Sequence, residues 1–180
     1  MRFTPRKSSP RLPTFEYKGV FGYFVTTNTC DRLPVLRGDV AQRCVDVMLE
    51  SASETEFEVM AYCVMPDHVH LLAQGLDESS NLIRFVQRLK QVTGFEFKKA
   101  IGSPLWHRSY YDHVLRNEDD VHDVAAYIWH NPVKAGLVTS ATDYPFSGPP
   151  VYLGASSLDR AEALSVRTDA SRWDESHDAR

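Results

Sequence analysis

Two histidines one residue apart, His68 and His70, stand in the stretch MPDHVHLL at residues 65–72. Side chains of an extended strand alternate with period two, so both imidazoles leave the same face. Two neutral imidazoles placed that way can chelate one divalent ion. The pattern also suits two polar residues on a partly exposed sheet face, and two ligands alone make an incomplete site. A second candidate pair follows Asn117, where Val121, Val124, Ala125 and Ile128 form an apolar stripe at helical spacing. Tyr127 and Asn131 lie together at the edge of that stripe, one turn apart. A tyrosine can serve as a covalent nucleophile, and an Asn carbonyl oxygen can bind a metal. Equally, Tyr at a helix edge packs amphipathically and Asn before Pro ends a helix.

The elements that must position these residues follow from periodicity and turn chemistry. GVFGYFVTTNT (19–29) is aromatic and β-branched and reads as a strand. Residues 39–52 carry apolar residues at helical spacing, and FEVMAYCVM (57–65) reads as a central strand. Pro66-Asp67 turns the chain into HVHLLAQ (68–74), antiparallel to its predecessor. Val69, Leu71 and Ala73 then suit a helix-covered core, and His68, His70, Leu72 and Gln74 face the other way.

LDESSN supplies helix-cap candidates for a long helix over about 81–101, which GSP ends. A fourth strand is expected near 110–115. The next helix is capped by Asn117, opens on the acids EDD, and runs to about His130, stopping at Asn131-Pro132. The order β-α-β-β-α-β predicts an α+β, ferredoxin-like antiparallel sheet with helices on one face, plus a C-terminal helix carrying Tyr127. Residues 133–153 read as loop-rich. One domain over 15–153 is expected, with a flexible basic arm at 1–14 and a polar, mobile tail at 154–180.

Composition narrows the function classes. With 180 residues and a net charge of -4, the chain is not a general basic nucleic-acid coat protein. Charge is nevertheless uneven. RFVQRLKQVTGFEFKK (84–99) holds five basic residues and one acid, and the first eleven residues hold four basic residues and no acid. Arg84, Arg88 and Lys90 of the long helix are therefore candidate phosphate contacts, although a solvated helix surface explains them equally well. Arg108, Arg116 and Lys134 flank the candidate site. Cys30, Cys44 and Cys63 have no C-x-x-C partner, so neither a disulfide framework nor a zinc knuckle is expected. No stretch is long and apolar enough for a membrane span, and the basic N-terminus lacks a signal-peptide core, so the default compartment is cytoplasmic.

MPDHVHLL, LWHRSYYDHVLRNEDD at 105–120 and YIWHNPVKAGLV at 127–138 closely resemble the REP-associated tyrosine transposases. These belong to the single-tyrosine HUH transposase superfamily, IS200-like. The resemblance implies that His68 and His70 are the two HUH metal ligands around the bulky Val69. It also implies that Tyr127 is the nucleophile and Asn131 the third, amide ligand. Asp67 stands where an Asn is commoner, a change at the hydrogen-bonding shell behind the ligands.

The implied activity is metal-dependent cleavage and rejoining of single-stranded DNA through a 5′-phosphotyrosine intermediate, on hairpin repeat DNA, with Mg²⁺ or Mn²⁺. Related enzymes act as monomers or homodimers. A non-catalytic RRM-like nucleic-acid-binding module is the alternative, and an unrelated metallohydrolase is a third reading that lacks an acidic cluster for a second metal. Tyr110 and Tyr111 are rival nucleophiles, and His107, His113 and His130 rival ligands.

Overall fold

The computed structural model describes residues 15–115 and 121–153. The expected arm and tail, the cap Asn117, and Arg116 and Asp120 lie outside the described residues. The chain runs through β1 (Gly22–Thr29), α1 (Gly38–Glu54), β2 (Phe57–Met65), β3 (His68–Gly75), α2 (Leu82–Ile101) and β4 (Trp106–Val114). It continues through α3 (Val121–Trp129), α4 (Asn131–Lys134), β5 (Ser147–Gly148) and α5 (Pro150–Leu153). The strands form one five-stranded sheet in the order β4-β1-β3-β2-β5, each described neighbour pair antiparallel. This is the α+β arrangement expected from the element order.

Both faces of the sheet are covered. On one, α1 and α2 close a core that includes Val25, Val64, Val69, Leu71, Ala73, Met48, Phe85 and Leu89. On the other, α3 and α5 close a second core around Phe24, Met60, Leu72, Ala125, Ile128 and Trp129. Alternation along β3 thus sends Val69, Leu71 and Ala73 to the two-helix layer, as expected from period two. The C-terminal segment is tied to the sheet, at β5 and β2, by polar ends of buried aromatics. Trp129 Nε1 donates to the Gly148 carbonyl at 2.9 Å, Tyr144 Oη to the Val64 carbonyl at 2.9 Å, and Tyr152 Oη to Glu58 Oε1 at 2.9 Å. Each large apolar side chain so buried contributes roughly 1.5–3 kcal/mol.

Local chemistry sets the element ends. Asn81 caps α2 by accepting from Arg84 N at 3.0 Å, and Gly102, at φ 84, ends it in the left-handed region. β1 begins at Gly22 rather than Gly19, because Gly19 sits at φ 94 and donates its N–H to Ser80 O instead of to a strand.

β4 begins at Trp106, four residues before the expected start. Thr27 pairs with Tyr110 but Thr29 with Trp106, so β4 carries extra residues there in a bulge. Lys90 Nζ holds that bulge, donating to the carbonyls of His107, Arg108 and Ser109 at 2.8, 3.2 and 3.4 Å. The chain also does not stop at Asn131-Pro132. It breaks at His130 and takes one further helical turn, with Pro132 in the first turn where its missing N–H is not needed. No described helix is long and apolar enough to cross a membrane.

Candidate active site

The β2–β3 turn places the two histidines. Thr29, at the end of β1, donates its N–H to the Asp67 carbonyl at 2.9 Å, and its Oγ1–H is shared between the carbonyls of Leu33 and Asp67 at 2.8 and 3.0 Å, which fixes the turn against the sheet. His68 and His70 then project from the face that α3 covers. Their Nδ1 atoms are both engaged: His68 Nδ1 lies 2.6 Å from Asp67 Oδ1, and His70 Nδ1 lies 2.8 Å from Thr26 Oγ1. Their Nε2 atoms converge to 3.1 Å.

That spacing is informative. Two nitrogens about 2.0–2.1 Å from one ion, at about 90–110° to each other, stand roughly 2.8–3.4 Å apart. The Asp67 carboxylate only accepts hydrogen bonds, so His68 carries its proton on Nδ1 and presents a bare Nε2. In the tautomer where Thr26 Oγ1 accepts from His70 Nδ1–H, both bare nitrogens face one point, as two ligands of a single cation would. Carboxylate and hydroxyl partners behind metal-binding imidazoles orient ligands in this way.

Both imidazoles are held neutral. Burial pushes the His70 pKa down to about 3, with His68, Arg32 and Lys134 adding repulsion of the charged form. Burial also lowers His68, and the Arg32 cation adds to this, while the hydrogen bond and charge of Asp67 oppose it. Arg32 Nη1 in turn lies 3.3 Å from Asp67 Oδ2. Neutral imidazole is the metal-binding form.

The edge of α3 reaches these histidines within one chain. The Tyr127 ring lies 5.6 Å from the His70 ring and 6.0 Å from Phe24, edge-on to both. The stripe behind it behaves as expected, with Val124, Ala125 and Ile128 buried. Burial raises the Tyr127 phenol pKa, and the neighbouring Asn131 carboxamide works the other way. Asn131 Nδ2 donates to the Tyr127 and Ile128 carbonyls at 2.7 and 3.4 Å. Those bonds settle which amide atom is which and leave Oδ1 as a spare acceptor or ligand. Lys134 Nζ stands 4.6 Å from the Tyr127 ring centroid. Among the described residues no cluster of three or more His, Cys, Asp or Glu could hold a metal.

Comparison with known proteins identifies the family. The family model for the IS200-like transposases matches residues 21–131, the span from β1 to Asn131. The chain belongs to the IS200-like transposase family. A REP-associated tyrosine transposase of Escherichia coli is 30% identical to this transposase over 129 residues, spanning 69% of this chain and 74% of the relative. A Haemophilus influenzae chain, named as a candidate REP-associated tyrosine transposase, is 29% identical over 136 residues, or 69% and 77% of the two chains. A solved REP-associated tyrosine transposase, bound to a REP hairpin, shares the fold at a TM-score of 0.65 and 24% identity, covering 81% of this chain and 86% of that one. Tyrosine transposases are DNA transesterases, and this transposase is one. Transposases of this superfamily use a divalent metal.

The sequence-predicted residues of the transposase divide by sheet face. His68, His70, Tyr127, Asn131 and Lys134 gather on the α3 face. Arg84, Arg88 and Lys90 belong to α2, on the opposite face. There Arg88 pairs with Glu54, and Lys90 is bound to the β4 bulge. Arg108 is exposed in that bulge on the edge strand. Tyr110 packs toward the α1–α2 layer, whereas Tyr111 lies on the site face, 6.2 Å from the Phe24 ring. His130 is exposed, its Nδ1 hydrogen-bonded to the Ala126 carbonyl at 2.8 Å.

Thr26 escaped notice in the sequence. Its signal is the polar alternation Thr26, Asn28 in β1, which gains meaning only with the register that sets these residues opposite His70 and His68.

Proposed function

We propose that this transposase cleaves and rejoins single-stranded DNA through a 5′-phosphotyrosine link on Tyr127. The observation that carries this reading is the Tyr127–His70 contact, which brings a phenol against the convergent Nε2 pair of one chain. Tyr127 Oη attacks the scissile phosphorus in line. The Oη–P bond forms, the P–O3′ bond breaks, the phenol proton passes to water, and the departing 3′-oxygen is protonated. Phosphoester energy is kept in the new bond, so a second 3′-OH can reverse the step without a nucleotide cofactor.

The donor set fits Mg²⁺ or Mn²⁺ held by His68, His70 and the Oδ1 of Asn131. When bound, such an ion polarises a non-bridging phosphate oxygen. The protein's own contribution is positional. Asp67 and Thr26 fix the two rings, Phe24 and His70 hold the phenol edge-on, and Lys134 supplies a positive charge at the phenol and the incoming phosphate. Arg108, exposed on the edge strand, is a candidate for phosphate contact. A hairpin substrate is supported by the REP hairpin bound to the solved relative. Assembly of the phenol and both imidazoles in one chain supports a monomer acting in cis.

The test is incubation with single-stranded DNA hairpins and Mn²⁺ followed by a denaturing gel. A covalent adduct in wild type and its loss in Tyr127→Phe are expected. No adduct on any hairpin, alongside retained hairpin binding, points instead to the non-catalytic binding module.

A further inference from the structure

The site-facing row of β1 is Phe24, Thr26 and Asn28, and antiparallel register sets Thr26 opposite His70 and Asn28 opposite His68. Thr26 spends its hydroxyl on His70 Nδ1. Asn28 has no equivalent outlet, because His68 Nδ1 is taken by Asp67. The Oδ1 of Asn28 is buried, and no hydrogen-bond partner reaches it among the described residues. Most buried side-chain polar atoms find a partner, and one that does not is destabilising. Exchanging the two amide atoms leaves the difficulty in place, since the buried atom then becomes a donor lacking an acceptor. A strand position that tolerates Asn only at this expense, directly opposite a candidate ligand, points to a partner other than the described protein groups.

We infer that Asn28 is a positioning residue of the metal site, its carboxamide oxygen accepting a hydrogen bond from a water of hydration of the divalent ion at His68 and His70. The inference rests on the reading of those histidines as ligands. Its chemistry is that of the ion class. Hard divalent ions such as Mg²⁺ keep several waters in protein sites, and those waters are strong donors. Directly opposed residues of an antiparallel pair have Cβ atoms about 4.5–5.5 Å apart, so the carboxamide stands beside the His68 imidazole rather than behind it. Asp67 and Thr26 therefore orient the rings, and Asn28 orients the water. Groups in this outer shell typically change metal affinity about 10–100-fold.

The test measures Mn²⁺ binding to the full chain without DNA, by titration calorimetry, together with the metal-free thermal midpoint. The proteins are wild type, Asn28→Leu, Asn28→Asp and His68→Ala. Asn28→Leu is expected to bind Mn²⁺ roughly 10-fold more weakly, while its metal-free midpoint equals or exceeds that of wild type because an unpartnered polar atom has been removed. Asn28→Asp, which keeps the acceptor, is expected to bind at least as tightly as wild type. Wild-type affinity in Asn28→Leu, with binding abolished in His68→Ala, overturns the role of Asn28 and leaves the ligands standing. A lowered metal-free midpoint in Asn28→Leu, with weak binding in Asn28→Asp as well, overturns it in favour of a structural role. Absence of Mn²⁺ binding in wild type overturns the ligand assignment and this inference together.

Discussion

At His70 the requirements of burial and of metal binding coincide. A ring pushed down to about pKa 3 is neutral around pH 7. The same shift carries a stability consequence with a definite sign. Between about pH 3 and 6.5 the unfolded chain binds a proton at this residue and the folded chain does not. Stability therefore rises with pH across that window and is lost as pH falls below 6.5, by up to about 1.4 kcal/mol per pH unit. Thermal melts of the metal-free protein from pH 7 to 5 are predicted to show this decline, and His70→Phe to flatten it; an equally steep decline in the variant refutes the assignment. Thr26 acts on the same ring from behind. Thr26→Val suits a strand yet removes the Nδ1 partner, so the fold is expected to persist while Mn²⁺ affinity drops by about 10-fold or more. Calorimetric titration checks this, and unchanged affinity contradicts the orienting role.

Among the elements, α3 decides whether a site exists, since Tyr127 reaches His70 only because Ile128, Ala125 and Val124 seat the helix on β2 and β3. Ile128→Ala is predicted to reduce stability by about 2–5 kcal/mol, read by urea unfolding, with a loss of adduct formation at temperatures where the fold survives. Full adduct yield in a destabilised but folded variant would show that helix seating is not what places the phenol. The legibility of these elements in the sequence followed from how local their causes are. β2, β3 and α2 were readable because alternation, the Pro66-Asp67 turn, the Asn81 cap and the Gly102 stop are all short-range signals. The early start of β4 was not, because its bulge is held by Lys90 from another element. The extra turn at Asn131–Lys134 was hidden by Pro132, which ends a helix in one context and opens one in another. Of the candidate site, His68, His70, Tyr127 and Asn131 stood out by type and spacing only as candidates and took their roles from the resemblance, whereas Thr26 and Asn28 depend on β1–β3 register.

Over the whole molecule, net charge is -4, and among the described candidates Arg84, Arg88 and Lys90 lie on α2 whereas Lys134 lies at Tyr127 on the other face. Lys134 is a described cation placed at the phenol. Lys134→Gln is predicted to lower the dependence of log affinity for single-stranded DNA on log salt by about 0.7. Arg88→Gln, paired with Glu54 on the far face, is predicted to leave it unchanged. Fluorescence anisotropy across a salt series separates the two, and equal effects would mean that DNA wraps the α2 face. The central claim, that a single phenol on α3 attacks DNA beside the paired imidazoles, is tested most directly by peptide mass spectrometry of the covalent adduct formed with a hairpin and Mn²⁺. The account predicts the nucleotide mass on the peptide that contains Tyr127. Its appearance on the peptide carrying Tyr110 and Tyr111 would contradict it.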